Sequence, residues 1–141
     1  MTNLSPHISG PEYRCPCCNK LPPDLYKDGD LAYCYSELFD LFEWARGEWG
    51  EAIPITSGYR CSKHNAEVGG EPASVHLFGL ALDLSIHPTR KQTFVQMLRD
   101  SGRAVRIGWK KYGPESSLVH IDCGFYVWPR PSEFLVPGVE W

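Results

Sequence analysis

Ser74-Val75-His76-Leu77-Phe78-Gly79-Leu80-Ala81-Leu82-Asp83-Leu84-Ser85 opens as a small polar turn, passes through a His and a Gly, and ends as an alternating apolar segment. The alternation predicts a strand over 79–86. Asp83, set between Leu82 and Leu84, is an awkward residue for such a strand, because an unpaired buried carboxylate is costly. A divalent metal would remove the difficulty, and His76 is a second ligand close at hand.

Working outward, the chain length of 141 residues suits one domain with a sizeable core. A hydrophobic fraction of 43% and an aromatic fraction of 13% fit a globular protein and argue against disorder. Net charge is −3 with no Lys/Arg block, so nucleic acid and anionic membrane are not expected partners. No apolar run approaches the ~20 residues of a membrane span. The start, Met1-Thr2-Asn3-Leu4-Ser5-Pro6, lacks the basic and apolar regions of a signal peptide. Synthesis in the cytoplasm, as a monomer, is the expectation.

Residues 1–29, rich in Pro, Gly and Cys, read as an irregular lead-in wrapped on a domain spanning 30–141. Leu31, Cys34, Tyr35, Leu38, Leu41, Phe42 and Ala45 mark one face of a helix from about Asp30, its candidate N-cap, to Gly47 or Gly50. Glu37 and Glu43 on it read as solvated charges. A short strand over 53–60, edge-like because of Pro54, precedes a short helix over 61–68. A loop over 72–78 leads into the Asp83 strand. A helix over 88–101 packs Phe94, Val95 and Leu98 inward, and strands follow over 104–109 and 118–126. The tail from Trp128 reads as coil. These elements make a single α+β domain, a small antiparallel sheet with helices packed on it.

Of five histidines, His7 and His87 have no ligand-like neighbour and His64 sits in the expected short helix; these three read as structural or solvated. His120 shares a strand face with Asp122, since residues two apart point the same way. That pair reads either as part of a metal site or as a buried hydrogen-bonded pair without metal. In the first case His76, Asp83 and His120 supply two imidazoles and a carboxylate, a set that suits zinc over calcium or magnesium. Arg60, fixed by a strand-to-turn context, is the best cation for an oxyanion or a substrate carboxylate. Six cysteines stand in the chain. Cys15-x-x-Cys18, completed by Cys34 or by Cys61 and His64, has the spacing of a small zinc knuckle. Buried free thiols are the alternative.

Ser57-Gly58-Tyr59-Arg60, His64-Asn65-x-x-Val68-Gly69-Gly70, Ser74-x-His76-x-x-Gly79-x-Ala81-x-Asp83 and His120-x-Asp122 together resemble the zinc D-Ala-D-Ala peptidases. That group includes zinc D-Ala-D-Ala carboxypeptidases and phage L-Ala-D-Glu endopeptidases, and shares its fold with Hedgehog signalling domains. The likeness spans about residues 30 to 125, and the cysteine-bearing lead-in resembles phage and prophage members. It implies one catalytic zinc on His76, Asp83 and His120, with Arg60 binding substrate and steadying the tetrahedral intermediate. It also implies that Ser74 holds substrate or the ligand loop. The implied substrate is a peptidoglycan peptide, cut after release or assisted export of a phage lysis enzyme.

Relatives often place an acid three residues before the last His, where this chain has Ser117. Asp122 is the first candidate for the catalytic base and Glu115 the second, while Asp122 can alternatively orient His120. Trp109 and Tyr112 are candidates for the substrate groove. Without catalysis, the same fold would serve as a zinc-containing binding module.

Overall fold

A computed structural model describes residues 3–126 and 137–141. In chain order the elements are β1 (Asn3–Ser5), β2 (Ile8–Ser9), α1 (Gly10–Tyr13), β3 (Tyr26–Lys27), β4 (Asp30–Leu31) and α2 (Tyr33–Trp49). Next come β5 (Ile55–Ser57), α3 (Ser62–Glu67), a 3-10 turn at Val75–Phe78 and β6 (Ala81–Ser85). A 3-10 turn at Pro88–Arg90 leads into α4 (Lys91–Asp100), followed by β7 (Arg106–Gly108), β8 (Leu118–Asp122) and a last 3-10 turn at Gly124–Tyr126. No helix among the described residues is long and apolar enough to cross a membrane.

The main sheet has the order β5-β6-β8-β7 with antiparallel neighbours throughout. This is the α+β domain with a small antiparallel sheet expected from the sequence. The register sets Asp83 opposite His120 and Ala81 opposite Asp122, so both acids and His120 share one face. Leu82, Leu84, Val119 and Ile121 alternate with them. They join Leu38, Phe42, Phe94 and Leu98 of the helices in one buried cluster. The sheet therefore has an apolar side that carries the core and a polar side that carries chemistry.

Several elements depart from the sequence reading. Asp30 does not cap α2; the helix starts after Ala32, without a side-chain cap. Asp30 instead pairs with Lys27 across a hairpin whose turn, Asp28-Gly29, has positive φ at both positions (54° and 89°). An Asp-Gly pair is the standard signal for that turn. Glu43 is not a solvated charge. It accepts hydrogen bonds from Ser5 Oγ (2.6 Å), His7 N (2.7 Å) and His7 Nδ1 (2.6 Å), tying the lead-in to α2. The expected tail falls largely on residues 127–136, outside those described. Within 137–141, however, Glu140 bridges in parallel to Ile107, so this segment lies along β7.

The lead-in also enters the core: Ile8, Tyr13 and Leu25 are almost fully buried. Tyr13 reaches furthest, its hydroxyl donating to the carbonyl of Gly79 at 2.5 Å. Gly79 has φ +74°, and a Cβ there would run into Pro22 and the Tyr13 hydroxyl. The turn between His76 and Asp83 is therefore clamped by the last residue of α1. Tyr13→Phe is expected to cost about 1–2 kcal/mol, because it strands a buried carbonyl. Urea unfolding of the two proteins side by side measures this, and an unchanged midpoint would count against the clamp.

Candidate metal centre and substrate cavity

Asp83 carries the geometry. One oxygen, Oδ1, lies 3.1 Å from His76 Nε2 and 3.0 Å from His120 Nδ1. The other, Oδ2, accepts from Arg60 at 3.0 Å. His76, Asp83 and His120 form a candidate metal-binding group, with ligand atoms all within 4.8 Å of one another.

Each imidazole is held by its other nitrogen. His76 Nδ1 donates to the Gly58 carbonyl at 2.6 Å, leaving Nε2 turned toward Asp83. His120 Nε2 donates to Asp122 Oδ2 at 2.7 Å, leaving Nδ1 on the Asp83 side. Ligand imidazoles anchored on a carbonyl and a carboxylate are the usual outer arrangement of a metal site, because the anchor fixes both tautomer and ring plane. With two nitrogens and one oxygen as donors, the residues present fit a zinc ion.

Local structure explains why these groups meet. Ser74 Oγ accepts from His76 N (3.2 Å) and caps the 3-10 turn that presents the His. Gly58 allows the close approach: a Cβ there would strike the backbone of Tyr13. The Tyr13 carbonyl in turn accepts from Tyr59 N at 2.7 Å, and the His76 carbonyl accepts from Arg60 N at 3.0 Å. Arg60 is then fixed on three sides, donating to Ser57 Oγ (3.1 Å) and Asn65 Oδ1 (3.2 Å) as well as to Asp83. A surface arginine would not be held this way.

The electrostatics follow from burial and pairing. Burial alone would raise the Asp83 carboxyl, but hydrogen bonds from His120 and His76, with their charges, hold it well below the usual carboxylate range. Burial lowers His76 below the ordinary histidine value. For His120, burial would do the same, yet Asp122 and Asp83 outweigh it and push the ring up to about 9. Two acids thus brace one imidazole.

A cavity of about 640 Å³ opens on this centre. Arg60, Ser74, His76, Asp83, Tyr112, His120 and Asp122 line it, as do Glu71, Arg106, Lys111 and Trp141. Burial pushes the Tyr112 phenol up to about 12. Two of the sequence candidates stand elsewhere: Glu115 is exposed and off the wall, and Trp109 turns its indole N–H to Glu140 (3.0 Å). Asp122 does share the His120 face, but it is fully buried, accepting from Gly124 N at 2.9 Å as well as from His120. Arg106 lies 3.6 Å from its Oδ1.

Trp141, Glu71, Lys111 and Arg106 are wall residues that the sequence did not single out. Trp141 packs its ring 5.4 Å from that of His120, under the Arg106 guanidinium. Glu71 sits in the loop after α3, where its carbonyl accepts from Asn65 Nδ2 at 2.8 Å. Lys111 and Arg106 add positive charge beside Arg60. Only the Gly69-Gly70 turn next to Glu71 offered a signal, since a glycine pair marks a turn, and a Cβ on Gly70 would strike the Asn65 side chain.

A search of curated proteins returns no match for this chain. The profile of the family described as Peptidase M15 matches residues 23–122, a stretch that contains Arg60, Ser74, His76, Asp83, His120 and Asp122. The chain therefore belongs to the M15 peptidases, a family of zinc metallopeptidases.

Proposed function

We propose that this protein is a zinc-dependent peptidoglycan peptidase that hydrolyses a peptide bond of the cell-wall stem peptide or cross-link, as D-Ala-D-Ala carboxypeptidases and endopeptidases do. The observation that carries the reading is Asp83, with one oxygen between two anchored imidazoles and the other on Arg60, at the wall of an open cavity. His76 Nε2, Asp83 Oδ1 and His120 Nδ1 would hold the zinc. When bound, the ion supplies Lewis acidity toward a carbonyl and makes water a usable nucleophile near neutral pH.

The chain's own residues supply the rest. Arg60, Arg106 and Lys111 give the cavity three cations, suited to a peptide that ends in, or carries, a free carboxylate. Arg60 also donates to the oxygen that gains charge as the carbonyl is attacked. Tyr112 and Trp141 offer flat apolar walls to the short side chains of the stem peptide.

Proton transfer requires a carboxylate that is not already committed. Asp122 is engaged with His120, Gly124 and Arg106, so we assign it to positioning the His120 ring. Glu71 stands on the wall, its backbone tied through Asn65 to Arg60. Glu71 is our assignment for the group that takes the proton of water and returns it to the leaving amine, ahead of Glu115.

Incubation of the zinc-loaded protein with defined muropeptides, followed by mass spectrometry, tests the function. Release of D-Ala, or of a peptide from a cross-linked dimer, is the expected result. Stoichiometric zinc with no cleavage of any wall peptide would instead favour a binding module of the same fold. Arg60→Lys keeps the charge but loses the fork that reaches Ser57, Asn65 and Asp83 together. It is expected to lower kcat/KM by about 10²-fold, read from the same assay at full zinc occupancy.

A further inference from the structure

A second group of side chains gathers outside the cavity. Cys15, Cys18 and Cys61 bring their sulfurs within 4.8 Å of one another. They come from two distant places in the sequence: a tight turn just after α1, and the residue that caps α3. None of the three lines the cavity.

The turn has the shape of a ligand knuckle. Asn19 N donates to the Cys15 carbonyl (2.8 Å) and Cys15 N to the Lys20 carbonyl (3.0 Å), with Asn19 in the left-handed region at φ 59°. This closes the chain so that Cys15 and Cys18 face the same point. Backbone N–H groups then point at sulfur: Cys61 N donates to Cys15 Sγ (3.4 Å) and His64 N to Cys61 Sγ (3.5 Å). Such donors stabilise thiolate over thiol. Cys34 and Cys123 are not part of this group. The Cys17 thiol lies against Cys61 at the exposed edge of the group.

We propose that Cys15, Cys18 and Cys61 form a second, structural metal site that takes one zinc ion as thiolates, with Cys17 completing the fourth position. Zinc–sulfur bonds of about 2.3 Å put tetrahedral sulfurs roughly 3.8 Å apart, so a small inward movement of the three side chains closes the shell. Without metal, three sulfurs share one partly buried pocket in which at most two can pair as a disulfide. The ion would join the lead-in to the residue directly after Arg60. It would do so beside the Tyr13–Tyr59 hydrogen bond, which already holds that segment. Its work is to hold the Arg60 loop in place, apart from any chemistry in the cavity.

The test separates this site from the catalytic one by ligand chemistry. Protein purified under reducing conditions is loaded with zinc, or with cobalt(II) as a spectroscopic probe, and metal is counted by mass spectrometry. Wild type is expected to hold about two ions per chain, and His76→Ala about one. The cobalt form of His76→Ala should keep near-ultraviolet thiolate-to-cobalt absorption, which a His/Asp/His centre cannot produce. Cys18→Ser in wild type should lose that absorption and one ion while retaining the other. Zinc should also protect three or four of the six thiols from a disulfide-exchange reagent until a chelator is added. If His76→Ala does not fold, the wild-type cobalt spectrum and thiol protection decide. Cobalt-loaded wild type without a thiolate band would overturn the proposal, as would thiols lost to a disulfide with no second ion.

Discussion

His76→Ala is expected to abolish hydrolysis of wall peptides, lowering kcat/KM by about 10³-fold or more, and to release the zinc held at the Asp83 centre. The magnitude follows from what the side chain does. His76 is one of three donors, and its orientation is set by the Gly58 carbonyl and by the backbone bond between its own carbonyl and Arg60. Removing the imidazole leaves Asp83 with His120 and Arg60, a two-donor set that cannot hold zinc tightly. The measurements are zinc content after dialysis and muropeptide turnover. Because the substitution empties a buried position, wild-type protein stripped by a chelator gives the matching control. It should lose activity in parallel and regain it on addition of zinc. Full turnover by His76→Ala would place the reaction somewhere other than at Asp83.

The second large effect comes from separating two carboxylates. Glu71→Gln is expected to lower kcat by about 10²–10⁴-fold with zinc occupancy unchanged, as loss of a general base would. Asp122→Asn should behave differently. An amide in place of Asp122 loses the charge that steadies the His120 ring, so zinc affinity should fall by about 10–100-fold while turnover at saturating zinc largely survives. Zinc titration and turnover at saturating zinc, measured on both variants, distinguish the roles. Should Asp122→Asn keep its zinc and lose turnover, while Glu71→Gln keeps both, proton transfer belongs to Asp122. If both variants keep full turnover at saturating zinc, Glu115 becomes the remaining carboxylate to replace.

The contrast between these acids shows where sequence reading works. Asp83 was conspicuous because a strand period leaves it on an otherwise apolar segment, and His120-x-Asp122 was conspicuous because the same period puts both on one face. Periodicity is local, so it needs no knowledge of the fold. It says which face a side chain occupies, but not which partner it meets there. Asp122 lies on the expected face, and only the position of His120 Nε2 and Gly124 N reveals that its oxygens are taken. Glu43 is a similar case: its place off the apolar face of α2 was legible, while its bonds to Ser5 and His7 depend on where the lead-in lies.

By itself, the sequence determined the α+β class, helices α2 to α4 and the four strands of the main sheet to within a few residues, and the residue types at the Asp83 centre. Each of these rests on short-range chemistry: hydrophobic period, capping and turn residues, and the cost of burying an acid. The tertiary structure alone decided the register that sets Asp83 against His120, the Gly58 carbonyl that orients His76, and the Tyr13 hydroxyl that clamps Gly79. It also brought Trp141 to the cavity wall and Cys61 to Cys15. The physical reason is common to all of these. Each is a contact between segments far apart in the chain, fixed by the packing of elements whose local patterns carry no record of one another.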